Sequence, residues 1–323
     1  MPRKAILDLD TGIDDALALV YALASPTLKL IGVTATYGNV IVEQGARNSR
    51  ALLDLLGHPD IPVYLGPGHA CDQEEFTVQE VSAFIHGTNG VGDVDLGSQT
   101  PDGAERIYDG ATDFLIDSVK AHGDDLVIVP TGPHTTIAQA MKQDPEFAAT
   151  AHIVFMGGAL TLPGNVSRFA EANISQDPVA ADFVLRHAQD ATMVGLDVTL
   201  RTLLTKEETA AWRAVGTTAA GIYADMVDYY IGAYATTSPH LGGCGLHDPL
   251  AVAVAEDPSF VRTLPLNLKV ETDGPSRGRT IGDEERLSDS PTARVAMAVD
   301  TPRFVDTLVE RLKALFGRTG ESR

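Results

Sequence analysis

The chain has 323 residues, of which 44 are Asp or Glu and 24 are Lys or Arg, for a formal net charge of −20. That balance excludes a surface built for nucleic acid or anionic membrane. The 44% hydrophobic and 21% charged residues suit a globular core of one large α/β domain or two small ones. Cys71 and Cys244 lie far apart in loop-like contexts, which argues against a disulfide framework or a thiolate metal site. No apolar run approaches the roughly 18 residues of a membrane span. The opening residues MPRKAILDLD enter a strand at once and leave no room for a signal peptide, so a soluble, cytoplasmic protein is expected.

Short apolar runs alternate with helical patterns along the chain. Strands are predicted at 5–9, 28–34, 126–129, 152–155 and 192–194, and helices at 15–24, 42–56, 104–121, 135–142 and 178–186. Continuous apolar strands separated by helices predict βαβ units and a mainly parallel sheet covered on both faces. Two insertions interrupt the pattern, 66–103 and 199–245, the second holding predicted helices at 206–215 and 218–235. Long connections in compact domains are often lids, and both are read as active-site loops. An apolar helix at 250–255, strands at 264–271 and 293–299, a helix at 302–316 and a frayed end from 317 complete the reading. No repeat or linker stands out, so residues 1–323 are expected to form a single domain.

The most informative feature is Asp10-Thr-Gly-Ile-Asp14-Asp15, at the end of the first strand. Asp8 and Asp10 are two apart and share one face of that strand. Gly12 permits a tight turn, and Asp14-Asp15 opens the helix. Two unit charges about 4 Å apart repel by roughly 4 kcal/mol at a surface-like dielectric, so such a cluster calls for a cation, a proton or a ligand. Helix capping accounts for one of Asp14 and Asp15, poorly for both, and not at all for Asp10. Carboxylate oxygens without nearby cysteine favour calcium or magnesium over zinc.

Further polar punctuation follows the other strands. Asn39 comes after the second, Thr131-Gly132-Pro133 after 126–129, and Met156-Gly157-Gly158 after 152–155, with Asn165 and Glu171-Ala172-Asn173 beyond. In open α/β sheets, ligands lie beyond the carboxyl ends of the strands, where these loops fall. Late in the chain stands His247-Asp248-Pro249. Proline disfavours a helical Asp248, so His247 and Asp248 are expected to project differently, one toward a metal and one toward a substrate.

These segments together resemble the nucleoside hydrolase family of calcium-dependent ribohydrolases. The matching stretches are DLDTGIDDALA at 8–18, TYGNV at 36–40, HGTNG at 86–90, PTGPHT at 130–135, VFMGGA at 154–159, GN at 164–165, EANISQDP at 171–178 and LHDPLAVA at 246–253. The resemblance implies a Rossmann-like nucleoside hydrolase fold and hydrolysis of the N-glycosidic bond of ribonucleosides. It implies calcium held by Asp10, Asp15, the Thr131 carbonyl and Asp248, with Asp10 also taking a proton from water. It assigns Asp14, Asn39, Asn165, Glu171 and Asn173 to the ribose hydroxyls and Met156 to a place beside the sugar. The departing base needs a proton or hydrogen bonds, for which His247 is the first choice and His86 a helper. Tyr230 and Tyr234 are candidates to stack on the base, and a homodimer or homotetramer is expected by the same resemblance.

Other residues read as structural. Asp177 before Pro178 suits an N-cap, and Asp8 suits a supporting position that orients the loop. Three departures from the family pattern bear on substrate choice: His134 and Thr136 in TGPHTT, Thr88 in HGTNG, and Ala172 where an aromatic is usual. A haloacid-dehalogenase-like phosphatase also starts with a strand and Asp-x-Asp. That family reads DxDGT rather than DxDTG, and it does not account for the second aspartate pair. A catalytically silent nucleoside- or sugar-binding protein is the remaining alternative, opposed by the full set of metal and base candidates.

Overall fold

The computed structural model describes residues 2–97 and 106–319. Nine strands form one sheet: β1 (Arg3–Leu9), β2 (Leu28–Ala35), β3 (Val63–Leu65), β4 (Ile107–Asp109), β5 (Leu126–Pro130), β6 (Ile153–Met156), β7 (Ala191–Val194), β10 (Val261–Leu266) and β13 (Ala293–Val299). Two small antiparallel pairs lie apart from it, β8 (Leu203–Leu204) with β9 (Cys244–Gly245), and β11 (Leu268–Val270) with β12 (Thr280–Gly282). The strand order is β10-β13-β7-β6-β5-β1-β2-β3-β4. Every neighbouring pair is parallel except β10 with β13 at one edge.

The central strands are mostly apolar because helices cover both faces. Ala5, Leu7 and Leu9 of β1 join one core with the helices Ile13–Ala24, His247–Glu256 and Thr301–Arg318, while Ile6 points into the other. That second core is built from the helices Ala111–His122, Thr135–Gln143 and Pro178–His187. The alternation is the two-residue period of a strand buried on both sides. From β1 the chain winds outward through β2, β3 and β4. From β5 it winds the other way through β6 and β7. The strand order therefore reverses between β1 and β5, which opens a crevice beyond their carboxyl ends. Asp10 follows β1 and Thr131 follows β5, so both stand at that crevice.

Several expectations are corrected. The stretch 104–121 is not one helix. Residues 104–105 lie outside the described residues, Ile107–Asp109 is an edge strand, and Gly110 at φ 92° precedes the helix Ala111–His122. The run 264–271 splits at Asn267 into strands of two sheets. The Asn267 amide donates to Arg286 O and accepts from Thr292 N, which turns the chain there. Asp248 is helical despite the proline after it: Pro249 lies in the first turn of His247–Glu256, where a missing N–H breaks no helical bond. Consecutive helical residues are about 100° apart, so His247 and Asp248 still diverge. The last helix, Thr301–Arg318, runs past the expected fraying point at 317.

The insertion 66–103 carries the short helix Glu80–His86, and its residues 98–103 lie outside the described residues. The insertion 199–245 carries the helices Lys206–Arg213 and Thr218–Thr237 and ends on β9. Among the described residues, no helix is long and apolar enough to cross a membrane.

The helix Ile13–Ala24 wedges between the sheet and the helices His247–Glu256 and Thr301–Arg318, with Leu17 wholly buried. Leu17→Ala is expected to cost about 2–5 kcal/mol through the cavity it leaves, read from the midpoint of urea unfolding. A cost below about 1 kcal/mol would show that this helix is not held as described.

Candidate active site and metal centre

The acidic cluster is built on the start of a helix. Gly12 is the N-cap of Ile13–Ala24 and has no side chain to satisfy the first turn. Asp15 folds back instead, its Oδ2 accepting from Gly12 N at 2.7 Å, while its Oδ1 accepts from Thr131 Oγ1 at 2.6 Å. Asp10 accepts from Asn39 N at 2.7 Å and from Asn39 Nδ2 at 3.2 Å, and the same amide lies 3.4 Å from Asp15 Oδ2. Asn39 thus ties the β2 loop to both aspartates. Asp248 arrives from the start of His247–Glu256, and one oxygen each from Asp14, Asp15 and Asp248 lie within 4.8 Å of one another. Asp14, assigned by resemblance to the ribose, is in this ion-sized group, whereas Asp10 stands beside it.

All four carboxylates are buried, and burial is the first cause that pushes each above the ordinary range, reinforced by neighbouring carboxylates at Asp10, Asp14 and Asp248. Asp14 is raised to about 7. Asp14 Oδ1 is buried and has no hydrogen-bond partner. Clustered oxygens, an unsatisfied carboxylate atom and no sulfur in the group suit a hard divalent cation. The donor set fits one.

Beyond this cluster the site is lined with amides. Asn173 Nδ2 donates to the Thr131 carbonyl at 2.6 Å and also reaches Met156 O at 3.3 Å and Met156 Sδ at 3.2 Å. This brings the ends of β5 and β6 to one side chain. Glu171 caps the short helix Ala172–Gln176: its oxygens accept from Asn173 N, Ile174 N and Gly158 N at 3.0, 3.2 and 2.9 Å. Burial raises its pKa, and these backbone donors oppose the rise. Asn165 is exposed, and its Oδ1 accepts from Ala172 N at 3.0 Å, holding its loop against the helix that Glu171 starts.

A ring cluster closes the other side. His86 Nδ1 accepts from Ile13 N at 3.1 Å and lies 3.9 Å from Asp14 Oδ1, so its ring proton sits on Nε2. Tyr230 packs against His86 and edge-on against Tyr234, and its hydroxyl lies 3.4 Å from Asp14 Oδ2. Tyr234 Oη is 2.6 Å from His247 Nε2, and His247 Nδ1 is 2.8 Å from Thr199 Oγ1. Burial pushes the His86 pKa down to about 3 and the His247 pKa down to about 4. Both rings are therefore neutral.

Residues 5–306 match the family model described as inosine-uridine preferring nucleoside hydrolase. The chain belongs to the nucleoside hydrolase family. Members of that family act on the N-glycosyl bond of ribonucleosides. Among solved structures, the chain is similar to a purine-preferring ribonucleoside hydrolase from Gardnerella vaginalis, with 56% identity, TM-score 0.93, and 98% of this chain and 99% of that one covered. Among curated relatives it is 35% identical to the pyrimidine-specific ribonucleoside hydrolase RihA of Escherichia coli O9:H4, covering 97% of this chain and 99% of that protein. It is 33% identical to a probable uridine nucleosidase 2 of Arabidopsis thaliana, covering 96% and 97% respectively.

Within this nucleoside hydrolase, the structural residues fall where the sequence put them. Asp177 caps Pro178–His187 through Ala180 N, and Asp8 accepts from Thr34 Oγ1 at 2.6 Å behind the loop. In the HGTNG stretch, exposed Thr88 donates to Asp93, whose carboxylate gathers this turn under His86. His134 is buried edge-on against Phe155. Sequence reasoning missed the Thr131 hydroxyl and Thr199. Nothing in the local pattern separates either from an ordinary buried threonine.

Glycine spacing explains how Asp10 is held. A Cβ on Gly38 would lie 1.9 Å from Asp10 Oδ2, and one on Gly132 would lie 3.0 Å from Asp10 Cβ. Gly38→Ala is therefore expected to displace Asp10 and remove nearly all turnover, as assayed by release of free ribose. Retention of more than about a tenth of the activity, a loss of under 1.4 kcal/mol in transition-state stabilisation, would mean the Asp10 position is not critical.

Proposed function

We propose that the protein hydrolyses the N-glycosidic bond of ribonucleosides to free base and ribose in a calcium-dependent reaction. The observation that carries this reading is the buried group of Asp14, Asp15 and Asp248 at the point where the strand order reverses, with Asp10 tied to Asp15 through the Asn39 amide and the Thr131 hydroxyl bonded to Asp15. Asp10, Asp15, Asp248 and the Thr131 carbonyl would hold the cation. Calcium accepts irregular sets of oxygen ligands, backbone carbonyls included, more readily than magnesium does. When bound, it supplies positive charge that acidifies water and orients sugar hydroxyls.

Asp10 accepts the proton of the attacking water. Asp14, Asn39, Asn165, Glu171 and Asn173 grip the ribose hydroxyls, with Met156 beside the sugar. Asn165 and Glu171 take the 5′-hydroxyl end, Asn165 through the loop that its bond to Ala172 N secures. As the glycosidic bond breaks, positive charge grows on the ribose and the surrounding carboxylates stabilise it. His247 assists the departing base and His86 supports it. Because both rings are neutral, their contribution is hydrogen bonding rather than an imidazolium proton, and Tyr234 is the group through which His247 reaches the base. Tyr230 and Tyr234 form the stacking wall. The insertions 66–103 and 199–245 act as loops over the site. We also assign the protein to the cytoplasm and to a homodimer or homotetramer, both by family resemblance.

Base preference follows the more similar structural relative. At 56% identity over nearly the whole chain, the purine-preferring enzyme is a better guide than pyrimidine-specific relatives at 35%. In a panel assayed for free ribose, inosine and adenosine are expected to outrun uridine and cytidine. Their 2′-deoxy analogues should fall by as much as ~10⁴-fold, since a site built around a hydroxyl is left with unpaired polar groups. Equal turnover of ribo- and deoxyribonucleosides would overturn the hydroxyl clamp. Faster uridine would overturn only the base assignment.

Metal dependence is tested separately. Added calcium is expected to raise the melting temperature of chelator-treated protein, since a ligand of the native state stabilises it, and to restore its activity. Asp15→Ala should lose both responses. Full activity after exhaustive chelation would rule out the metal role.

A further inference from the structure

The loop that joins β6 to Glu171 carries Asn165, and little within the loop holds it in place. Thr161, Pro163 and residues 165–169 are exposed. Its internal main-chain bonds are long: Val166 N reaches Ala170 O at 3.3 Å and Ser167 N reaches the same oxygen at 3.5 Å. Ser167 Oγ accepts from Phe169 N at 3.2 Å and Ala170 N at 3.0 Å, which shapes the turn but ties it to nothing else. A segment with so little buried apolar surface opens easily unless it is anchored from outside.

Two distant side chains supply the anchors. Asp197, after β7, accepts from Leu160 N and Thr161 N at 2.8 Å each. Arg279, just before β12, takes the carbonyls. Its Nη2 donates to Leu160 O and its Nη1 to Leu162 O, both at 2.7 Å, and Nη1 also reaches Phe169 O at 3.5 Å. Leu160 and Leu162 lie on the outgoing limb of the loop and Phe169 on the returning one, so one guanidinium spans both limbs around Asn165. A planar fork of donors suits this task better than a single ammonium. The guanidinium is itself placed by the β11–β12 turn, where Arg279 N donates to Ser276 O and Glu271 N donates to Arg279 O, both at 2.9 Å. Gly278, at φ 85°, lets that turn approach the loop: a Cβ there would lie 2.8 Å from Ala170 Cβ.

We infer that Arg279 is a positioning residue: by bridging the two limbs of the loop 160–170 it holds Asn165 at the ribose 5′-hydroxyl, acting through Asn165 rather than on the substrate. The inference rests on the reading that Asn165 takes the 5′-hydroxyl end. Its consequence is selective, because Arg279 matters only for a substrate that carries that hydroxyl.

Two substrates and a measure of loop opening test it. Arg279→Met keeps an unbranched apolar stem and removes the donors. It is expected to lower kcat/KM on inosine about tenfold, the scale of one hydrogen bond lost to the 5′-hydroxyl. On 5′-deoxyinosine the same variant should stay within about twofold of the native enzyme. Combined with Asn165→Ala, it should lose no more on inosine than Asn165→Ala alone, since both act on one contact. Amide hydrogen exchange should quicken in residues 160–170 of Arg279→Met while β5 exchanges as slowly as in the native protein. Arg279→Lys, which keeps the charge but lacks the fork, should fall between the two, and it carries the same comparison if Arg279→Met does not fold. Equal losses on both substrates, no loss on inosine, or unchanged exchange in the loop would overturn the proposal. A native enzyme that turns over inosine and 5′-deoxyinosine equally would instead remove the 5′-hydroxyl reading, and exchange would still decide whether Arg279 holds the loop.

Discussion

Mutual repulsion among buried carboxylates is the constraint on which the rest of this structure depends. Asp10, Asp14, Asp15 and Asp248 come from the end of one strand and the starts of two helices, and packing of those elements forces them together. The largest influences on each are burial and hydrogen bonds or the other carboxylates. Left uncompensated, such a group would open the helix ends that present it, because isolated buried charges are among the costliest features a fold can hold. A hard cation removes that cost and turns the same oxygens into a site. The fold and the proposed chemistry thus share one electrostatic condition.

The compensation already present is made of backbone and amide donors, each serving two elements. Asp15 replaces the capping group that Gly12 lacks and also anchors Thr131 from β5. Asn39 reaches Asp10 and Asp15 from the β2 loop, and Asn173 joins the ends of β5 and β6. Loops after four different strands are therefore fixed relative to one another by the groups that would bind ligand. This is the pre-organisation on which electrostatic stabilisation depends, since dipoles already in place need not reorganise as charge develops.

The parts legible in the sequence were those with a strong local signal. Apolar runs located β1, β2, β5, β6 and β7 to within two residues, because strands buried on both faces are apolar through most of their length. The three-residue strands β3 and β4 have too few residues to show a period, and the edge strand β4 falls inside a predicted helix that Gly110 in fact excludes. At the site, type and spacing marked the aspartates, but geometry had to reveal what else they do. Glu171, assigned by resemblance to the ribose hydroxyls, also caps a helix with three backbone donors, which the sequence does not show. Thr199 carries no signal at all, because it meets the site only through its contact with His247, 48 positions away.

The same electrostatics bears on which form of substrate the proposed site can accept. A ribonucleoside is neutral and offers hydroxyls that can share the oxygens of Asp14 and Glu171 and the amides of Asn39 and Asn173. Its 5′-phosphate would add negative charge beside Glu171, whose oxygens already take three backbone donors and so have little left to offer an anion. At about 4 Å and a surface-like dielectric, each such encounter costs roughly 4 kcal/mol. The net charge of −20 over the whole chain deepens the same barrier at long range. The charge that at first excluded nucleic acid as a partner therefore also favours the dephosphorylated nucleoside, and it does so before any contact with the base is made.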